Sequence, residues 1–201
     1  MKPLGIGIEI RSTKGKNLKV NKTSIEGLLI IEPDVFHDGR GFFFESFNEM
    51  KYEEIGINKK FVQDNISGSV KNTVRGLHYQ IGENAQGKLC QVIEGEVLDV
   101  AVDIRFGSPT FGKYYSVKLS SENRKQFWLP KGFAHGFAVI SDFAIFSYKC
   151  TAVYNKSSER CIIYNDNNLN INWGIINPVI SEKDLLAKKF TDIEKDFFIK
   201  K

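Results

Sequence analysis

From residue 88 to 165 the hydrophobic pattern is one of short strands, each cut off by a turn signal. The clearest strand is Leu98-Asp99-Val100-Ala101-Val102-Asp103-Ile104-Arg105. Its period of two sends Leu98, Val100, Val102 and Ile104 one way and Asp99, Ala101, Asp103 and Arg105 the other. Glu94-Gly95-Glu96, Phe106-Gly107-Ser108-Pro109, Ser120-Ser121-Glu122-Asn123 and Pro130-Lys131-Gly132 supply the turns. Strands at roughly ten-residue spacing with no helix between them predict a mainly β fold, a sandwich or a jelly-roll barrel. Upstream, Thr23 to Ile31 reads as a strand ended by Glu32-Pro33-Asp34. Phe36 to Glu45 reads as a glycine-punctuated turn running into another strand. Ser46-Phe47-Asn48-Glu49 has the form of a capping box and predicts a short helix to about Ile55. Helical signals return only after Ser181. No repeat or linker divides the chain, so residues 1–201 are expected to form one domain, with an arm over 1–22 and a helical segment over 181–201.

Composition narrows the function classes. The 201 residues, 42% hydrophobic with 16 Phe against 2 Trp, are enough for a substantial core. A net charge of +4 suits an anionic small ligand and gives little support for nucleic acid as a partner. No apolar run approaches the ~18 residues of a membrane span, and the amino terminus lacks a secretory leader. Cys90, Cys150 and Cys161 show no CxxC spacing and read as free thiols in a reducing cytoplasm.

The candidate chemistry centres on Arg75-Gly76-Leu77-His78-Tyr79-Gln80 and Gln86-Gly87-Lys88-Leu89. Histidine is a workable base near neutrality, and a lysine stabilises an oxyanion formed beside it. Together they are the equipment for removing a proton next to a carbonyl. Strand parity puts Lys88 on a face with Cys90 and Val92, an odd place for lysine unless a pocket needs its charge; a snorkelling surface lysine is the plain alternative. The same test puts Tyr148 with Ala144, Phe146 and Cys150, pointing inward either as a core tyrosine or toward a bound molecule. Parity does not place His78 cleanly, and Gly76 is a candidate bulge position. His135 shares a face with Phe133, Phe137 and Val139 and reads as a satisfied core residue. His37, His78 and His135 lack any His-x-His pairing, and no carboxylate lies at ligand spacing beside His78, so no metal is expected. Ser181-Glu182-Lys183-Asp184 is either a helix cap or the source of a carboxylate that orients His78. Arg40, Glu45, Gln63, Asn65, Arg75 and Lys183 are surface polar groups or ligand contacts, and the glycine-flanked arginines suit phosphate.

These segments together resemble the dTDP-4-dehydrorhamnose 3,5-epimerase family of cupin-fold enzymes, from about Ile25 to Asp184. The resemblance rests on Gly39-Arg40-Gly41-Phe42-Phe43-Phe44-Glu45-Ser46, Phe61-Val62-Gln63-Asp64-Asn65 and the two motifs around His78 and Lys88. It continues through residues 99–105, Gly107-Ser108-Pro109-Thr110, residues 130–137 and Ser181-Glu182-Lys183-Asp184. It implies a cupin jelly-roll barrel with short peripheral helices, a homodimer with an exchanged N-terminal segment, and no metal or organic cofactor. The substrate implied is a dTDP-linked 4-keto-6-deoxy sugar. His78 would be the base and Asp184 its partner, Tyr148 the proton donor on the opposite sugar face, and Lys88 the holder of the C4 oxygen. Arg75, Gln63, Asp64, Asn65, His135, Glu159 and Lys183 match ligand-contacting positions; Arg40 and Glu45 match positions that can come from the partner chain.

The chain departs from the family pattern at Asn72-Thr73-Val74, at Cys90-Gln91 and at Ala152-Val153-Tyr154-Asn155, which touches substrate identity rather than the reacting groups. The alternatives are epimerisation at C3 or C5 alone, a GDP- or CDP-linked ketosugar, a non-catalytic sugar-binding cupin, and a metal cupin oxygenase.

Overall fold

The computed structural model describes residues 18–199, so most of the expected amino-terminal arm lies outside the described residues. In chain order the elements are β1 (Lys19–Lys22), β2 (Leu29–Glu32), β3 (Val35–Asp38), β4 (Gly41–Phe44), α1 (Glu49–Glu54), β5 (Gln63–Val70) and β6 (Val74–Gln80). There follow β7 (Lys88–Glu94), β8 (Glu96–Asp103), β9 (Tyr114–Ser120), β10 (Gln126–Leu129), β11 (Phe133–Val139), β12 (Phe143–Cys150), β13 (Glu159–Cys161) and α2 (Glu182–Leu185). Six strands form one sheet in the order β1-β2-β10-β7-β12-β5, and five form a second in the order β13-β6-β11-β8-β9. Non-sequential neighbours in both sheets, antiparallel throughout, make this a jelly roll of the cupin type. β3 and β4 stand apart as a hairpin. Among the described residues no helix is long and apolar enough to cross a membrane.

The barrel interior is filled from both sheets by Cys90, Phe127 and Phe146 on one side and Ala101, Phe137 and Leu119 on the other. Two further layers lie outside it. Val100, Val102 and Leu77 pack outward against Ile162, Leu169 and Trp173 of the carboxy-terminal part. Leu89 and Trp128 pack outward against Tyr52 of α1 and Ile57 just beyond it. β8 is therefore buried on both faces. Its Asp99 and Asp103 are tolerated because His135 meets the first at 2.6 Å and Arg105 meets the second at 2.7 Å.

Three local expectations need correction. The strand expected over Thr23–Ile31 begins only at Leu29, because the Thr23 hydroxyl oxygen accepts from the Ile25 amide at 3.1 Å and residues 23–28 turn instead. The helix expected from Ser46 begins at Glu49, with Asn48 as its cap accepting from the Lys51 amide. The Ser46 carbonyl instead accepts from Gln126 Nε2 at 2.7 Å, a tertiary contact that wins over the local capping box. The carboxy-terminal segment contains one turn of α-helix and a 3-10 turn at Phe190–Asp192, and otherwise crosses the barrel without regular structure.

One irregularity positions the chemistry. Pairing between β11 and β6 runs His135 to His78 and then Phe137 to Arg75, so two residues of β6, Gly76 and Leu77, oppose the single Gly136. This is the bulge foreshadowed by Gly76. Arg75 and His78, three apart, would point to opposite faces of a regular strand. The extra residue puts both on the wall of one cleft of about 560 Å³.

Candidate active site

His78 Nε2 lies 2.6 Å from Asp184 Oδ1, a pair made across 106 residues of sequence. Asp184 is buried in the short α2 turn, and its other oxygen accepts from the Gly76 amide at 3.3 Å. Ser181 does cap this helix, its hydroxyl oxygen accepting from the Asp184 amide at 3.2 Å. The two readings of Ser181-Glu182-Lys183-Asp184 are thus one arrangement: the cap holds the carboxylate against the imidazole. Burial pushes the Asp184 carboxyl up, but the hydrogen bond and charge of His78, the Gly76 amide and Lys183 outweigh it and hold the group below its usual range. An ionised Asp184 accepts only, so His78 Nε2 carries the proton and Nδ1 is the basic nitrogen.

The other sheet supplies Lys88 on β7 and Tyr148 on β12. Lys88 is only 8% exposed, and among the described residues it forms no ion pair. Its ammonium lies 5.7 Å from the centre of the Tyr148 ring. A buried cation without an anion is costly unless the site is meant to receive negative charge. Tyr148 packs on the interior core, and burial pushes its phenol up to about 12, so the hydroxyl keeps its proton at neutral pH. His135 sits 6.5 Å from Tyr148, ring centre to ring centre. Burial holds its imidazole below the usual range against the raising effect of Asp99, so it is neutral, and Lys88 supplies the positive charge.

At the rim, Arg75 is oriented by donation from Nε to Ser69 Oγ at 3.0 Å. Glu159 is held by Lys183 at 2.5 Å and by the Tyr154 hydroxyl at 3.1 Å. Gln63 and Asn65 are linked at 3.0 Å, and Asn65 reaches Cys150 Sγ at 3.6 Å. Asp64, between them on β5, points to the other face and pairs with Lys149 at 2.9 Å, so strand alternation takes it away from its neighbours. Arg40 and Glu45 are also not brought to His78 within this chain: Arg40 pairs with Asp38 at 2.6 Å on the β3–β4 hairpin, and Glu45 pairs with Lys51 at 2.6 Å.

Sequence reasoning missed two groups. Cys161 is the direct cross-strand partner of His78, and its sulfur lies 3.7 Å from Asp184 Oδ1. Asp99 is the hydrogen-bond partner of His135. Both depend on strand pairing, for which spacing along the chain carries no signal. The same is true of the carboxylate that spacing denied to His78.

The family model for dTDP-4-dehydrorhamnose 3,5-epimerase matches residues 22–192. A relative of that name from Shigella flexneri is 54% identical over 183 residues, covering 90% of this chain and 100% of that one. The crystal structure of a dTDP-6-deoxy-D-glucose-3,5-epimerase from Legionella pneumophila, in complex with dTDP-4-keto-L-rhamnose, superposes with a TM-score of 0.86 at 53% identity, covering 89% of this chain and 95% of that one. A 3'-monoepimerase from Streptomyces bikiniensis in complex with dTDP-quinovose superposes with a TM-score of 0.80 at 32% identity, covering 84% and 86%. Similarity of this depth over nearly the whole described barrel shows that the chain belongs to the dTDP-4-dehydrorhamnose 3,5-epimerase family.

Proposed function

We propose that this chain inverts C3 and C5 of dTDP-4-dehydro-6-deoxy-D-glucose, giving dTDP-4-dehydro-L-rhamnose, as a single-domain enzyme of the cytoplasm acting as a homodimer. The observation that carries this reading is the His78–Asp184 pair on one sheet together with, on the other, a buried Lys88 that forms no ion pair among the described residues and lies beside a protonated Tyr148. The C4 ketone acidifies the hydrogens on both neighbouring carbons. His78 takes each proton from one face, with Asp184 stabilising the imidazolium that forms. Negative charge then develops on O4, where Lys88 meets it; because that charge is largest in the enolate, Lys88 contributes to the transition state more than to ground-state binding. Tyr148 returns a proton from the opposite face, which inverts the centre. Arg75 holds the pyrophosphate, with Gln63, Asn65, His135, Glu159 and Lys183 around the nucleotide sugar. Arg40 and Glu45, remote from His78 in their own chain, reach the partner's site through an exchanged amino-terminal segment. Asp64 would act from the outer face of β5.

The Streptomyces bikiniensis monoepimerase has the same fold, so inversion of one carbon is the reading to test against. Proton NMR of the protein with dTDP-4-dehydro-6-deoxy-D-glucose in D2O is expected to show deuterium at both C3 and C5 and a rhamno-configured product. Label at one carbon makes the chain a single-site epimerase. Turnover of a GDP- or CDP-linked ketosugar with none of the dTDP sugar overturns the substrate assignment. Tyr148→Phe is expected to keep isotope wash-out from the carbon facing His78 while losing most net inversion, because it removes only the returning acid. Loss of wash-out equal to the loss of product would place Tyr148 in the first proton transfer instead.

A further inference from the structure

Cys161 has no part in the proposed epimerisation chemistry, yet it is the cross-strand neighbour of the base. Strand β13 sets it directly across from His78 on β6, and its sulfur, a His78 ring nitrogen and an Asp184 oxygen all lie within 4.8 Å of one another. We propose that His78, Cys161 and Asp184 form a three-donor site for a borderline-soft divalent cation, of which Zn²⁺ is the type, and that the bound ion switches the enzyme off.

The donor set is the first argument. One thiolate, one imidazole and one carboxylate with a fourth position open is a combination that selects zinc-like ions over Mg²⁺ or Ca²⁺. Geometry is the second. Zinc at its usual bond lengths of about 2.0–2.3 Å separates neighbouring ligand atoms by roughly 3.3–3.6 Å in a tetrahedron. The Cys161 Sγ to Asp184 Oδ1 distance, 3.7 Å, meets this already. The His78 to Asp184 contact has only to open from 2.6 Å as the ion takes the place of the shared proton. Two of the donors stand on paired strands, and the Gly76 amide fixes the second Asp184 oxygen, the kind of outer contact that holds a ligating carboxylate in place. The donors are reachable from both sides. His78 and Asp184 line the 560 Å³ cleft, and Cys161 lines a second cleft of about 250 Å³ with Tyr79 and Lys183. Lys183, next to Asp184 in the chain, is already neutralised by Glu159 at 2.5 Å. A second trio, Cys90, Asp99 and His135, also converges but is wholly buried, and an ion there would face the ammonium of Lys88.

The switch follows from the imidazole. A metal on Nε2 displaces the proton from that nitrogen, and a neutral ring then carries it on Nδ1. That is the nitrogen assigned above to accept the substrate proton. The Cys161 thiol proton leaves to solvent as the sulfur–metal bond forms, and Asp184 spends its charge on the ion rather than on an imidazolium. The loss of turnover rests on His78 being the base; the binding of the ion does not.

Co²⁺ reports the site without reference to activity. The intact protein titrated with Co²⁺ is expected to develop a thiolate-to-cobalt charge-transfer band at one equivalent, kept in Cys90→Ala and absent from Cys161→Ala. In turnover assays Zn²⁺ is expected to abolish activity and EDTA to restore it. Cys161→Ala, compared with its own metal-free rate, is expected to need at least about 10-fold more Zn²⁺ for the same inhibition. No thiolate band, or equal zinc sensitivity in the wild type and Cys161→Ala, overturns the site. A Cys161-dependent band with undiminished turnover overturns the switch; the D2O exchange experiment without metal then tells separately whether His78 is the base.

Discussion

His78→Ala is expected to lower kcat by about 100- to 10,000-fold, the usual worth of a positioned general base, while the dissociation constant for the nucleotide sugar changes little. The split follows from where the groups stand. The pyrophosphate is assigned to Arg75 and the ketone oxygen to Lys88, and neither depends on the imidazole for its place: Arg75 is held by Ser69, and Lys88 by its buried position on β7. The variant also leaves the Asp184 carboxylate facing a gap, which costs roughly 1–3 kcal/mol of stability for a buried polar group that loses its partner. The Gly76 amide and the Ser181 cap still hold the α2 turn, so the protein is expected to fold. Single-turnover kinetics with calorimetric titration of the same preparation separate the two effects. Near-normal turnover would sink the mechanism, and a large loss of affinity with kcat intact would make His78 a binding residue.

Gly76→Ala is expected to lose both stability and turnover although it removes no functional group. The backbone at Gly76 has φ of +132°, a region that residues with a Cβ rarely adopt. A Cβ built there would lie 2.5 Å from Gly136 Cα and 2.8 Å from the His135 carbonyl oxygen, both backbone atoms that cannot swing aside. Strain and overpacking each cost about 1–3 kcal/mol, so a drop of roughly 2–6 kcal/mol is expected, a large part of the stability of a typical domain. If β6 instead relaxes to regular pairing with β11, the bulge is lost, and Arg75 and His78 part to opposite faces. Denaturant unfolding and turnover read the two outcomes. Wild-type stability together with wild-type activity would show that the crossing of Gly76 and Gly136 is not what places the base.

Much of the site was legible one residue type at a time. Alternation put Lys88 with Cys90 and Val92 and Tyr148 with Phe146, and both side chains do face the interior. The period of two is a property of the extended chain itself, so it survives whatever the strand pairs with. Asp64, grouped with Gln63 and Asn65 through the resemblance, lies on the opposite face of β5 and pairs with Lys149. Expectations failed where a distant partner outcompeted a local signal. Gln126 took the Ser46 carbonyl, and the helix cap lies at Asn48 instead.

What the sequence determined by itself is the run of short strands and turns, the inward parity of Lys88, Tyr148 and His135, and the motifs that carry the family. What only the tertiary structure decided is which groups meet. Asp184 reaches His78 across 106 residues, Cys161 stands opposite the base, and one extra residue on β6 turns Arg75 and His78 to the same wall. The physical reason is that alternation is set by the backbone of each strand, whereas pairing, register and bulges are set by the packing of strands far apart in the chain.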